Sequence, residues 1–160
     1  MACHSPCNNC YTTVNCWIPP FQQPQRPVTV ATCTDLATSI TADAAARRYI
    51  YSAINNGPLT EPNAVLTITV TGAASAAQIL FIRNQFIELG FTIVQSSPSI
   101  IAVRNLGVFT PGPGVSFIIN MPAVPSSTTS SITGTITDCN PANNTAFASL
   151  GVEDDPVEAR

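Results

Sequence analysis

Apolar and polar positions alternate most regularly over residues 64–71 (AVLTITVT). Leu66, Ile68 and Val70 fall on one side and Val65, Thr67 and Thr69 on the other, the period of a β-strand. The pattern then changes period. Ser75 and Gln78 have capping-box spacing, and Ile79, Ile82, Phe86 and Leu89 recur along one helical stripe with Arg83, Asn84 and Glu88 outside it, until Gly90 ends the run. Residues 91–96 (FTIVQS) read as a strand, and residues 100–105 (IIAVRN) as its antiparallel partner across Ser97-Pro98-Ser99. Upstream, residues 41–56 predict another helix. Thr41 is placed to cap it, Asp43 suits its first turn, Ala46, Ile50 and Ala53/Ile54 share a face, and Gly57-Pro58 stops it.

The margins are more irregular. Residues 27–33 (PVTVATC) alternate as a strand. After the TPGPG loop at 110–114, residues 115–121 read as a strand, 122–130 as a loop, and 131–139 as a strand with Ile132, Gly134 and Ile136 on one side. The strand–helix–strand run over 64–96 has the length of a crossover unit, which predicts parallel strands joined right-handedly. The expected fold class is therefore α+β: a small mixed sheet with two helices on one face, an extended Cys/Pro-rich N-terminal arm, and extra β-strands toward the C-terminus. Three zones follow. Residues 1–26 form the arm, 27–140 a single α+β domain whose 110–140 part is an extra β segment, and 141–160 a polar, acidic tail.

Composition changes the picture in one respect. Charged residues make up only 9% of the 160, against about 25% in ordinary soluble domains, and all six basic residues are arginine. So little charge gives weak repulsion between copies, which suits a subunit packed among its own kind. The net charge of −3 and a single adjacent basic pair, Arg47-Arg48, argue against direct nucleic-acid binding. No apolar run reaches the length of a membrane span, and no ordinary secretory signal is visible at the N-terminus.

The cysteines are the main candidate chemistry. Cys3, Cys7, Cys10 and Cys16 crowd the arm beside His4, with Cys33 and Cys139 in the body. Six cysteines pair in 15 ways, within the chain or to a neighbouring subunit. A tetrahedral zinc site drawn from Cys3, His4, Cys7, Cys10 and Cys16 is the alternative, although the paired C-x2-C knuckles of zinc ribbons are missing; unpaired thiols are the third possibility. Trp17, Ile18 and Phe21 flank Pro19-Pro20 as docking anchors for a partner or for the chain's own body. No catalytic constellation stands out: His4 is the sole histidine, and the acids outside the tail (Asp35, Asp43, Glu61, Glu88, Asp138) form no evident pair. The expectation is a non-enzyme without a cofactor.

Residues 40–105 resemble a small module in structural proteins of tailed bacteriophages, especially those infecting cyanobacteria. The likeness rests on a helix ending in YIYSAINNG, the strand VLTITVTG, and above all QILFIRNQFIELGFTIVQS, whose Leu89-Gly90-Phe91 turn leads into a closing hairpin. That module usually ends on aromatic residues, where this chain has IIAVRN. The resemblance implies a virion role as a capsid-decorating, neck or fibre subunit, with copies of itself and other structural proteins as partners. The arm suggests a disulfide-cross-linked extracellular filament as the alternative. It is shared with bacterial spore appendage subunits, whose all-β body does not match the two helices read here. A small metal-binding module is the third reading.

Overall fold

The computed structural model describes residues 32–73, 75–122 and 126–151. They build eight strands and one α-helix: β1 (Leu36–Asp43), β2 (Arg48–Asn55), β3 (Glu61–Thr71), α1 (Ala76–Glu88), β4 (Thr92–Gln95), β5 (Ile100–Phe109), β6 (Val115–Asn120), β7 (Ser126–Thr133) and β8 (Thr145–Leu150). The strands form two antiparallel sheets, ordered β1-β2-β6 and β4-β5-β3-β7-β8. The architecture is a β-sandwich with one helix, which corrects the expected α+β fold with two helices on a mixed sheet.

The first predicted helix is instead the end of β1, a turn at 44–47, and β2. Its i, i+4 apolar spacing coincides with a period-2 pattern, in which Tyr49, Tyr51, Ala53 and Asn55 are buried alternately. β2 is central, paired with β1 on one side and β6 on the other, and its aromatic and β-branched residues favour that setting. Asp43 caps the turn rather than a helix: its carboxylate accepts from Ala46 N at 3.0 Å and from Arg48 Nε at 2.9 Å.

The second helix is as expected. Ser75 and Gln78 form the reciprocal capping box, Ile82 and Phe86 are buried, and Gly90 follows the helix at φ 82°. The β4–β5 hairpin also forms. The crossover does not pair its two strands, because β5 lies between β3 and β4. Two further corrections concern the C-terminal half. β7 begins inside the stretch read as a loop and ends at Thr133, so Gly134 and Ile136 lie beyond it. β8 falls within residues read as tail. Of the strand expected at 27–33, residues 27–31 lie outside the described residues.

The core fills the space between the sheets, with Leu66, Ile68, Val70, Ile100 and Ile119 at 0–1% exposure. Beside β6, α1 continues the smaller layer and packs near β4 and β5. Phe86, Phe91 and Phe117 meet edge-on at 5.3 Å, and the Arg104 guanidinium lies 4.9 Å from the centroid of the Phe117 ring.

Each sheet edge is managed. The Gln85 carboxamide donates to Asn120 O at 3.0 Å and accepts from Asn120 N at 2.9 Å, imitating a strand partner for the free edge of β6. β1 lies along β8 and closes the opposite side. β4 has four residues and an irregular register. Such devices block edge-to-edge pairing.

The inner face of β7 is unusual. Its inward positions Ser126, Thr128 and Ser130 are buried hydroxyls. Each finds a partner on the opposite sheet. Thr38 Oγ1 donates to Ser52 O, so its 2.8 Å contact to Ser130 uses the serine proton. Thr128 Oγ1 donates to Thr69 O, so Tyr51 donates to Thr128 at 2.8 Å. The Tyr49 hydroxyl donates to Ser126 O at 2.8 Å and accepts from Leu150 N at 3.0 Å.

This bonding predicts unequal tyrosine effects. Tyr49→Phe leaves a buried amide and a buried carbonyl without that partner, and is expected to cost about 1–3 kcal/mol. Tyr51→Phe removes only one donor from Thr128, at about 0.5–1.5 kcal/mol. Urea unfolding of the two variants checks the order; equal losses, or a larger loss for Tyr51→Phe, would contradict it.

Candidate functional site

Cys3, His4, Cys7, Cys10, Cys16, Trp17, Ile18 and Phe21 lie outside the described residues. Cys33 and Cys139 are joined in a disulfide with Cα atoms 5.5 Å apart, closing 106 residues of chain. Of the pairings the sequence left open, this one lies within the body. Thr34 and Asp138 form a parallel bridge beside it, with Thr34 N donating to Thr137 O at 3.1 Å and Cys139 N to Thr34 O at 2.8 Å. Asp138 accepts from Leu36 N at 2.9 Å and from Asn140 N at 2.7 Å. Asn143 Nδ2 donates to Asp35 at 2.9 Å. The segment at 33–36 is thus fastened covalently and by hydrogen bonds. No group of three or more His, Cys, Asp or Glu side chains able to hold a metal occurs among the described residues.

Two further residues organise this body, and the sequence reading assigned neither a role. Asn55 donates to Leu59 O at 2.7 Å and Phe109 O at 2.9 Å, and accepts from Gly57 N at 3.0 Å. Glu61, at 0% exposure, accepts from Asn63 N at 2.9 Å, from both Thr135 N and Thr135 Oγ1, and from Ile136 N at 3.0 Å. Burial raises its carboxyl, but the donors of Thr135, Ile136 and Asn63 outweigh that and hold it below the usual carboxylate value. Gly134 stands against this carboxylate, where a Cβ would collide with it. Glu61 therefore carries a structural charge that fastens the loop after β7. No sequence signal marks it, since two of its partners lie 74 and 75 residues away.

The outer face of the five-stranded sheet has a different character. One row across it runs Ile101, Thr69, Thr129 and Phe147, in register. The next runs Val103, Thr67, Ser131 and Thr145. The outward positions in the paired rows of the five strands hold threonine, serine, valine, isoleucine, asparagine, glutamine or phenylalanine, and none holds a charge. Phe147 on β8 is 67% exposed and Val94 on β4 is 61% exposed, so large apolar groups stand at both margins.

Two tests follow. Because the Glu61 value is depressed on folding, its contribution is complete above its ordinary value of 4.5 and is lost as pH falls through the folded value. Asp43, lowered first by the Ala46 amide and then by Arg48, acts with the same sign. Glu61→Gln should cost about 1–3 kcal/mol at neutral pH and flatten the fall in melting temperature below pH 4.5; an unchanged acid profile would count against the clamp. Replacing Cys33 and Cys139 together by serine should cost about 2–5 kcal/mol in urea unfolding, given the length of chain closed.

No family model matches this chain, and no curated protein matches it. Two solved structures of a CARDB domain from Pyrococcus furiosus are similar in fold. The crystal structure, described as a complex with di-metal ions, is 12% identical with a TM-score of 0.49, covering 78% of this chain and 97% of the domain. The solution NMR structure is 13% identical with a TM-score of 0.46, covering 76% of this chain and 97% of the domain.

Proposed function

We propose that this protein is a non-enzymatic structural subunit of an extracellular assembly, working through contacts between copies and through its cysteine-bearing arm. The observation that carries this reading is the Cys33–Cys139 bond in the body. Such bonds persist in oxidising surroundings and are rare where thiols are kept reduced. In those surroundings Cys3, Cys7, Cys10 and Cys16 act as cross-linking groups rather than as a zinc site. Two thiols on neighbouring copies join by losing two protons and two electrons to dioxygen or another thiol oxidant. The scarcity of charge, at 9% of residues, supports close packing of copies.

Two assemblies fit. The virion reading rests on a module whose first helix is here the end of β1, a turn and β2. Appendage subunits have all-β bodies, and this body is a β-sandwich with a single helix among its described residues. The fold therefore favours the filament, with the virion component second.

Electron microscopy of material from the native source, with gels run with and without reductant, tests this. The expected result is an ordered filament or particle, with multimer bands that collapse to monomer on reduction. Identical monomer bands in both lanes would remove the cross-links. Bound zinc with four arm thiols protected from alkylation would replace this reading with metal binding.

A further inference from the structure

Resting on the assembly reading, we propose that the outer face of the five-stranded sheet is where a second copy of this chain docks, sheet against sheet, in an isologous pair. Any occupant of this face must suit a surface without charge. A highly charged partner would lose hydration there and gain no counter-charge. An identical face meets it with no like-charge repulsion, because neither copy has a charge to oppose. The half-buried Thr67, Thr69, Ile101 and Val103 already form a partly apolar layer between the margins.

The size is adequate. Five strands at about 4.8 Å spacing and about six residues at 3.4 Å give roughly 24 by 20 Å, so a pair covers about 1,000 Å², the lower bound for a specific interface. The margins also match. A two-fold axis in the interface, parallel to the strands, lays β8 of one copy over β4 of the other. The protruding Phe147 and Val94 then meet twice, once at each margin. The edges offer a poorer route: Gln85 occupies the Asn120 backbone of β6, β1 lies along β8, and β4 has only four residues.

The test uses the full chain with Cys3, Cys7, Cys10 and Cys16 replaced by serine, so that no arm bond holds copies together and the body disulfide is kept. Sedimentation velocity should show a dimer that persists in both low and high salt, since no exposed ion pair is there to be screened. Thr129→Lys, at the exposed centre of the face, should raise the dimer dissociation constant at least about a hundredfold. Thr145→Lys on β8 should act in the same direction and serves as the second variant if Thr129→Lys unfolds. Ser39→Lys, exposed on the smaller sheet, should leave the dimer intact. A monomer before any lysine is introduced, or a dimer indifferent to both lysines on the face, would overturn the proposal. Cross-linked multimers of the unmodified chain on non-reducing gels would in that case leave the assembly reading standing, and their absence would end both.

Discussion

The fold depends on a row of hydroxyl contacts between its two sheets. β7 enters the interior with Ser126, Thr128 and Ser130, where a sandwich ordinarily places apolar side chains. A buried hydroxyl without a partner is costly, so this strand is tolerable only where Tyr49, Tyr51 and Thr38 reach it. Apolar packing also resists sliding, but it specifies the facing of the sheets less sharply than directional hydrogen bonds do. A shift along β2 would strand several donors and acceptors together. The ladder therefore fixes how the sheets face each other, and the apolar core of β3, β5 and β6 fills the space so defined.

The same economy of charge runs through the rest of the body. Where other domains use salt bridges, this one shows a single ion pair among its described residues, Arg48 with Asp43. Long-range joins are made by carboxylates on backbone amides at Glu61 and Asp138, by carboxamides on backbone groups at Asn55 and Gln85, and by one disulfide. Hydrogen bonds to a buried carboxylate depend little on ionic strength, unlike exposed ion pairs. A body held in this way loses little as salt rises, and its outer sheet face is free of the charges that would keep copies apart.

Where one residue's neighbours decide its state, the sequence was readable. The Ser75–Gln78 box, the Ile82/Phe86 stripe, Gly90, the β3 alternation and the β4–β5 hairpin are local patterns, and each is present. Where the deciding partner is distant, the reading failed. Residues 41–56 satisfy helical and strand periods at once, and only pairing to β1 and β6 selects the strand. The first five residues of β7 read as a loop because their hydroxyls look solvated until the tyrosines of β2 are placed opposite, 77 residues away. β5 inserts between β3 and β4, which no length rule for crossovers anticipates. Glu61 was visible as an acid but not as a clamp, and Cys33 and Cys139 were visible as cysteines but not as a pair.

A chain with so few charges must take its specificity for partners from something other than charge patterns. Shape and hydroxyl placement are what remain, and inside this body they already position one sheet against another through Thr, Ser and Tyr. The outer face of the larger sheet presents threonine and serine in register, without tyrosine, and large apolar groups at its margins. Two such faces can meet by the physics that joins the two sheets within one copy. An arm that adds covalent bonds would then convert a modest, non-ionic contact into one that resists dilution, because a tethered partner rebinds at high effective concentration. On the proposed reading, face and arm would be complementary: the face would supply geometry, and the cysteines permanence.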